Sequence, residues 1–574
     1  MKWVALPIVL VGAAISILAV FLPQRDAASS ALSGYEALRK AQSGLPKTIA
    51  GLDELAARAG ALGWQAKIAA ARAHAAQAEF AVAAELLRQA LDARSTTALR
   101  AELGSLLEAA GERAEAKAEW EKLLPKADAV QAMQRLEPDS IKLAGILVTA
   151  GRYDAALPLV TPAVVDAARL PRARALAGLG KSSEAASEFA RYLESHPSDG
   201  AVKLEYARAL ERAGDSGRAL EVLHSLGAAG AYREGLLLES LGRIRDAIDA
   251  YKRSSDGEAR WRAGRLLESL GDASGALSIY QALASGTHRV RDDAALRAVQ
   301  LLRAGGNAAE AAKLIAGLPA AFQWILGSYV PPTVPAAAPG EISPAVASAL
   351  QVADSLAKRG HAEWASAEAE FALHDAGIAD RLAIGNWFDE HGDARRAFQI
   401  GSELLAKSPS RAAYELAYPK AFTASVNRWS STYEVDPYLI LAVIREESNY
   451  LPTAVSSSNA MGLMQLLPST GKWIAESKCK LTYTADLPFD PDANIRMGTW
   501  YVSYLTDLFD DLVRGVAAYN GGNGNVERWT AAAKVTARAD VPGALVSIET
   551  REYLTKVLNS WLWYRLLYSS DPTP

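Results

Sequence analysis

Two adjacent glutamates close an apolar stretch of the chain, Ile440-Leu441-Ala442-Val443-Ile444-Arg445-Glu446-Glu447-Ser448. Asp436-Pro437 just before it reads as a helix start, because an Asp side chain caps free backbone N–H groups and Pro is tolerated at the first helical position. The helix is expected to run to about Ser448. At about 100° per residue, Ile440, Val443, Ile444 and Glu447 share one face, whereas Glu446 points more than a quarter-turn away beside Ala442 and Arg445. A carboxyl on an apolar face is desolvated, which disfavours its charged form and keeps it protonated near neutral pH. That makes Glu447 a candidate general acid, able to protonate a leaving oxygen as positive charge develops on the carbon it departs from. The alternative is a buried Glu satisfied by a structural hydrogen bond.

Residues further on favour the acid. In Ala460-Met461-Gly462-Leu463-Met464-Gln465, Gly462 removes a side chain where the backbone must turn sharply or approach another group closely. Gln465 offers an amide donor and acceptor suited to an acetamido group or a sugar hydroxyl; otherwise it is an exposed Gln on the next helix. Tyr519-Asn520 precede Gly521-Gly522-Asn523-Gly524, at a helix end running into a turn. A Tyr there can donate a hydrogen bond to Glu447, or serve as an aromatic plug in the core. Taken together, these residues point to cleavage of a glycosidic bond.

From 419 to 574 the chain resembles the catalytic domain of soluble lytic transglycosylases of the Slt type. The resemblance rests on an ordered series: Tyr418-Pro419, Arg445-Glu446-Glu447-Ser448, Gly462-Leu463-Met464-Gln465, Asp490-Pro491 with Asn494, Gly498 and Tyr501, Ala518-Tyr519-Asn520, and Glu549-Thr550-Arg551 with Tyr553. It implies a lysozyme-like α-helical fold, with Glu447 as the single catalytic acid and base. It also implies substrate-binding roles for Ser456, Met464, Gln465, Tyr519, Asn520 and a second active-site acid, Glu549. The chain departs from the family at Leu467, commonly Met. A second departure is Gly521-Gly522-Asn523-Gly524, expected to be a looser turn, and a third is residues 543–548, where relatives carry an acid before Ile-Pro-Phe.

Ordinary glycosidases need two carboxylates flanking the scissile bond. Here one acid is strongly placed. Asp490 and Asp492 read as a helix-capping turn, and Glu549 has Arg551 two residues on as a ready ion-pair partner. The resemblance supplies the missing nucleophile: the C6 hydroxyl of N-acetylmuramic acid attacks its own anomeric carbon and gives a 1,6-anhydro sugar. A muramidase that uses water and a repeat scaffold that binds glycan without cutting are the alternatives.

The elements that must position this chemistry lie upstream. At 574 residues the chain is too long for one core and calls for three to four domains. Gly and Ala recur five apart at Gly111/Ala116, Gly151/Ala156, Gly180/Ala185, Gly214/Ala219, Gly242/Ala247, Gly271/Ala276 and Gly306/Ala311, and again at Gly360/Ala365 and Gly392/Ala397. A Gly that closes one helix left-handed, followed by a small Ala that lets the next helix pack closely, resembles degenerate tetratricopeptide repeats. The expected architecture is therefore all-α: a helical-repeat superhelix over 26–327, a Pro-rich connector over 328–344, a helical linker domain over 345–418, and the lysozyme-like domain. The superhelix is expected to offer a surface for glycan strands or envelope proteins. Trp429, Trp473, Trp500, Trp529, Trp561 and Trp563 gather in the last domain, where some stack on sugar and most fill the core.

Residues 3–22 are uncharged and apolar, long enough to cross a bilayer, so 1–25 is expected to be a membrane anchor or a cleaved signal peptide. Either places the bulk of the chain in the periplasm. A net charge of −4 and a pI near 6.1 argue against a nucleic-acid partner. The single cysteine, Cys479, cannot form an intrachain disulfide. With no Cys/His cluster and no calcium loop, neither metal nor cofactor is expected.

Overall fold

The computed structural model describes residues 30–40, 49–58, 60–160, 165–336 and 340–570. The expected anchor, 1–25, lies outside them. Among the described residues the regular elements are helical, and no helix is long and apolar enough to cross a membrane. The chain divides into two compact units. One takes in the chain up to Ser254 together with Ser343–Ala376; the other comprises Ser255–Ile342 and Gly377–Pro574. The later repeats, 255–327, are thus in one unit with residues 419–574, and residues 345–418 are shared between the units.

The Gly/Ala punctuation has one recurrent geometry. All nine glycines have φ between +72° and +87°, a region costly for any residue with a Cβ. Their alanine partners, from Ala116 to Ala397, are at most 1% exposed. The residue after each glycine donates its N–H to the carbonyl five back, as in Asp272 to Leu267 (2.9 Å), Asn307 to Leu302 (2.8 Å) and Asp393 to Phe388 (2.8 Å). This closure satisfies a carbonyl that the helix end would leave bare. The same residue then opens the next helix, so that each pair is joined by the shortest of turns. Close packing recurs too: a Cβ on Gly264 would lie 2.5 Å from the Tyr280 ring, and the Tyr280 hydroxyl donates to Glu268 at 2.6 Å.

In the first unit the helix over 30–40 reaches residues far along the chain. Tyr35 donates to Glu368 at 2.8 Å and stacks on Trp364 at 5.1 Å. In the second unit, residues 331–336 form no regular element, and the carbonyl of Pro335 accepts from the Arg411 N–H at 2.9 Å.

The region from 419 onward is organised around Pro437–Ser448. As expected, Asp436 caps it, accepting from the Tyr438 N–H at 2.9 Å, with Pro437 in the first turn. The other Asp436 oxygen accepts from Trp561 and Arg565, each at 2.8 Å. Leu439 through Ile444 are all buried, so this is a central helix, apolar all round and not on one face alone. Its neighbours in the core are Pro491–Phe509, Leu512–Gly521 and Ile548–Tyr568, which contribute Ile495, Val516, Leu554 and Leu558 among others. Truncating any of these buried aliphatic side chains to Ala would cost about 2–5 kcal/mol.

Candidate active site

The helix ends abruptly after the two glutamates, because Asn449 and Tyr450 are both left-handed, with φ of +48° and +63°. The glutamates diverge in environment. Glu446 pairs with Arg445 and accepts from the Ser560 hydroxyl at 2.6 Å. Arg445 is itself held by the Ala417 carbonyl at 3.1 Å and lies over the Tyr418 ring at 4.3 Å. No cation pairs with Glu447 among the described residues. What separates the two side chains is the neighbour each one meets, since the helix is apolar on every side.

The chain then turns through a loop whose pairing is confined to isolated bridges, Val455 with Met461 and Met461 with Leu466. Gly462, at φ +79°, sits where a Cβ would lie 2.0 Å from the Pro488 carbonyl oxygen and 2.3 Å from Asn494 Nδ2. The close approach is therefore to the protein's own backbone. Asn494 is fully buried and holds the loop from below: its amide donates to Met461 (3.2 Å) and Pro488 (2.8 Å) and its oxygen accepts from the Met464 N–H (2.8 Å). Gln465, left-handed at φ +46°, donates from Nε2 to the Ala454 (3.1 Å) and Gly462 (2.8 Å) carbonyls. Both amide hydrogens are engaged, which fixes the amide orientation and leaves the side-chain oxygen as an acceptor.

Ser456 is exposed, and its hydroxyl accepts from the Ala460 N–H at 3.0 Å, closing the loop's tip. Met464 is fully buried, and a Cβ on Gly498 would meet its sulfur at 2.3 Å. Its side chain supports the site from beneath. The expected hydrogen bond from Tyr519 to Glu447 is not formed. Tyr519 donates instead to the Met464 carbonyl at 2.7 Å, and a phenol has one proton to give.

The tyrosine that faces Glu447 is Tyr553, buried, with its hydroxyl too loosely placed for a regular hydrogen bond yet near enough to interact. It stacks on Tyr519 at 6.5 Å. Sequence reasoning gave Tyr553 no role. The available signal was its spacing, four residues after Glu549 and hence on the same side of the Ile548–Tyr568 helix. Glu549 lies exposed in the first turn. The alternative partner offered to Glu549, Arg551, is taken up elsewhere: it binds Asp293 at 2.9 Å. Asn520 accepts from the Thr550 hydroxyl at 3.0 Å. The turn after it is tight and not loose: Gly522, at φ +78°, is followed at once by Asn523–Ala532, and Asn525 donates back to the Gly521 carbonyl at 2.8 Å.

Electrostatically, Glu447 is the odd carboxyl of the domain. Burial pushes its pKa up from 4.5 to about 7; the Tyr553 hydroxyl pulls it down, and the charges of Glu446 and Glu549 add to the rise. A carboxyl with a pKa of about 7 is partly protonated near neutral pH, a state from which a proton can be given or taken. The other aspartates near the site are held in structure. Asp490 caps Pro491–Phe509, and Asp492 accepts from Ser425 (2.6 Å) and Trp429 (3.0 Å). Of the six tryptophans singled out, Trp473 is exposed; the Trp429 and Trp561 indoles donate inward, and Trp563 stacks on Tyr414 at 4.0 Å. Among the described residues no cluster of His, Cys, Asp and Glu is gathered for a metal ion.

An α-helical domain with one uncompensated carboxyl beside a glycine-pinned loop is the arrangement of a lysozyme-like fold. Residues 424–541 match the transglycosylase SLT domain family. The soluble lytic murein transglycosylase of Escherichia coli K12 is 29% identical over 224 residues, 38% of this chain and 33% of that one. The membrane-bound lytic murein transglycosylase C of Edwardsiella ictaluri is 38% identical over 162 residues, 24% of this chain and 45% of that one. The chain therefore spans a third to under half the length of these curated relatives. The crystal structure of the 70 kDa soluble lytic transglycosylase of Escherichia coli is alike over 95% of this chain and 93% of its own, with a TM-score of 0.61 at 17% identity. For the lytic transglycosylase Slt of Pseudomonas aeruginosa the values are 97%, 95%, 0.54 and 19%. These likenesses show the fold: helical repeats followed by a lysozyme-like domain. Over residues 424–541 the chain is similar to the transglycosylase SLT domain family, and over nearly its whole length it shares the fold of the Slt-type structures.

Proposed function

We propose that this protein is a lytic transglycosylase that cuts peptidoglycan at the β-1,4 bond between N-acetylmuramic acid and N-acetylglucosamine, with Glu447 as the single acid and base. The observation that carries this reading is a half-buried, desolvated carboxyl that pairs with no cation among the described residues and whose pKa is raised to about 7. In the first half of the reaction Glu447 gives its proton to the glycosidic oxygen, and the C–O bond breaks as positive charge spreads over the muramic ring. In the second, the C6 hydroxyl of that sugar bonds to its own C1, and the Glu447 carboxylate takes the hydroxyl proton. No water is consumed. A positioned acid contributes about 10²–10⁴-fold, and an intramolecular nucleophile gains further from proximity.

The surrounding residues take complementary parts in this reading. The Gln465 oxygen accepts from an acetamido N–H, Ser456 and Asn520 lie along the strand, Met464 and Tyr519 brace the floor, and Glu549 borders the charge that develops. The substrate places the protein in the periplasm, with residues 3–22 as its tether to the inner membrane and the repeats as a surface for glycan or envelope proteins. The decisive experiment is mass spectrometry of purified sacculi digested by the protein and by Glu447→Gln. Anhydro-muropeptides from the first and none from the second support elimination. Reducing ends would mark a muramidase with Glu549 as the base, and binding without release would mark a scaffold.

A further inference from the structure

The N-terminal turn of Ile548–Tyr568 is anchored outside the catalytic region. Arg551, 5% exposed, donates from Nε to Asp293 at 2.9 Å and from Nη1 to the carbonyls of Leu545 (2.8 Å) and Val546 (3.3 Å). Its guanidinium also lies over the Trp261 ring at 5.4 Å. Trp261 and Asp293 belong to the repeat helices Gly257–Ser269 and Arg291–Ala304. The same helices hold the preceding segment: Arg265 donates to the Gly543 carbonyl at 2.8 Å and Gln300 to the Ala539 carbonyl at 2.7 Å. Residues 539–551 are thus tied down by side chains more than 200 positions away. This is the stretch where the sequence departs from the family pattern, and it leads directly into Glu549 and Tyr553.

Resting on the reading of Glu447 as the acid, we infer that Asp293 is a positioning residue for catalysis: it holds Arg551, which pins the Leu545–Val546 backbone and so fixes Glu549 and Tyr553 against Glu447. The pair is suited to the task. Arg551 presents a planar fork that binds a carboxylate and two carbonyls at fixed angles. Asp293 is buried enough that desolvation raises its pKa against the pull of Arg551, with Asp292 and Glu552 adding to the rise. Replacing one member of such a buried pair leaves the other uncompensated and loosens what it orients. The titratable groups close enough to interact electrostatically with Glu447 are Glu446, Glu549, Tyr519 and Tyr553. Two of them, Glu549 and Tyr553, sit on the helix that Arg551 anchors.

The test is the full chain carrying Asp293→Asn, with Asp293→Glu as the conservative variant and Arg289→Ala as a control that breaks the exposed Arg289–Glu552 pair on the same contact. Anhydro-muropeptide release from sacculi gives kcat, KM and the pH profile; thermal unfolding gives stability. We expect Asp293→Asn to lower kcat roughly ten- to a hundredfold with KM changed less than twofold, since small misplacement of reacting groups acts on the chemical step. Water admitted beside Glu447 should also move the basic limb of its profile below the wild-type midpoint, because burial is the largest cause of the raised value. Asp293→Glu should recover part of kcat, and Arg289→Ala should leave the limb where it is. An Asp293→Asn enzyme with wild-type kcat and limb overturns the inference, as does one whose activity falls only in step with its folded fraction. A wild type that releases no anhydro product overturns the reading of the site as well.

Discussion

Arg445 pairs with Glu446, so that Glu447, one residue further, keeps a carboxyl that pairs with no cation among the described residues. Had the guanidinium turned to the second glutamate, it would hold that group ionised and unable to donate a proton. Ser560 and the Ala417 carbonyl fix the choice by holding Glu446 and Arg445 in place.

The raised pKa predicts how activity depends on pH. The acid must be protonated to begin the reaction, so kcat/KM should fall as pH rises through about 7. A profile of anhydro-muropeptide release between pH 5 and 9, about two units to either side, checks this. A basic limb near the ordinary glutamate value would contradict the desolvated environment.

Stability should follow the same proton. A carboxyl whose folded pKa lies above its unfolded value stabilises the fold fully below the unfolded value, 4.5, and loses that contribution as pH rises through about 7. Glu447→Gln, neutral at every pH, escapes the loss. Its unfolding free energy at pH 8 should exceed wild type by about 2–3 kcal/mol, with the gap closing toward pH 5. Denaturant unfolding at the two pH values measures it.

Two tyrosines that stack on each other should separate by substitution. Tyr553→Phe removes the hydroxyl that lowers the Glu447 pKa, and the basic limb should move upward. Tyr519→Phe instead leaves the Met464 carbonyl without its donor. It should cost about 1–3 kcal/mol of stability with a smaller effect on the limb. Parallel pH profiles and melting curves of the two variants test the distinction.

Gly462→Ala is expected to be severe. The left-handed backbone alone costs a residue with a Cβ about 1–2 kcal/mol. The methyl would also strike the Pro488 carbonyl and Asn494, on which the loop rests. Loss of at least about 2 kcal/mol in thermal unfolding, together with loss of cleavage, is the expected outcome.

Much of the fold was legible because it is written locally. Asp436-Pro437 starts a helix within a single turn, and a Gly followed five residues on by Ala closes one helix and admits the next. The first requirement is met by φ at one residue and the second by the volume of one side chain. The order of motifs around Glu447 likewise picked out the carboxyl whose pKa is raised and the loop that follows it.

Tertiary structure alone decided which partner each polar group takes. Glu446 finds Ser560 across 114 residues, Arg551 finds Asp293 across 258, and Tyr519 gives its one proton to Met464 and not to the acid. Spacing along a helix says which way a side chain points. It does not say what another segment brings to meet it, and for a buried hydrogen-bonding group that meeting sets its protonation and its role.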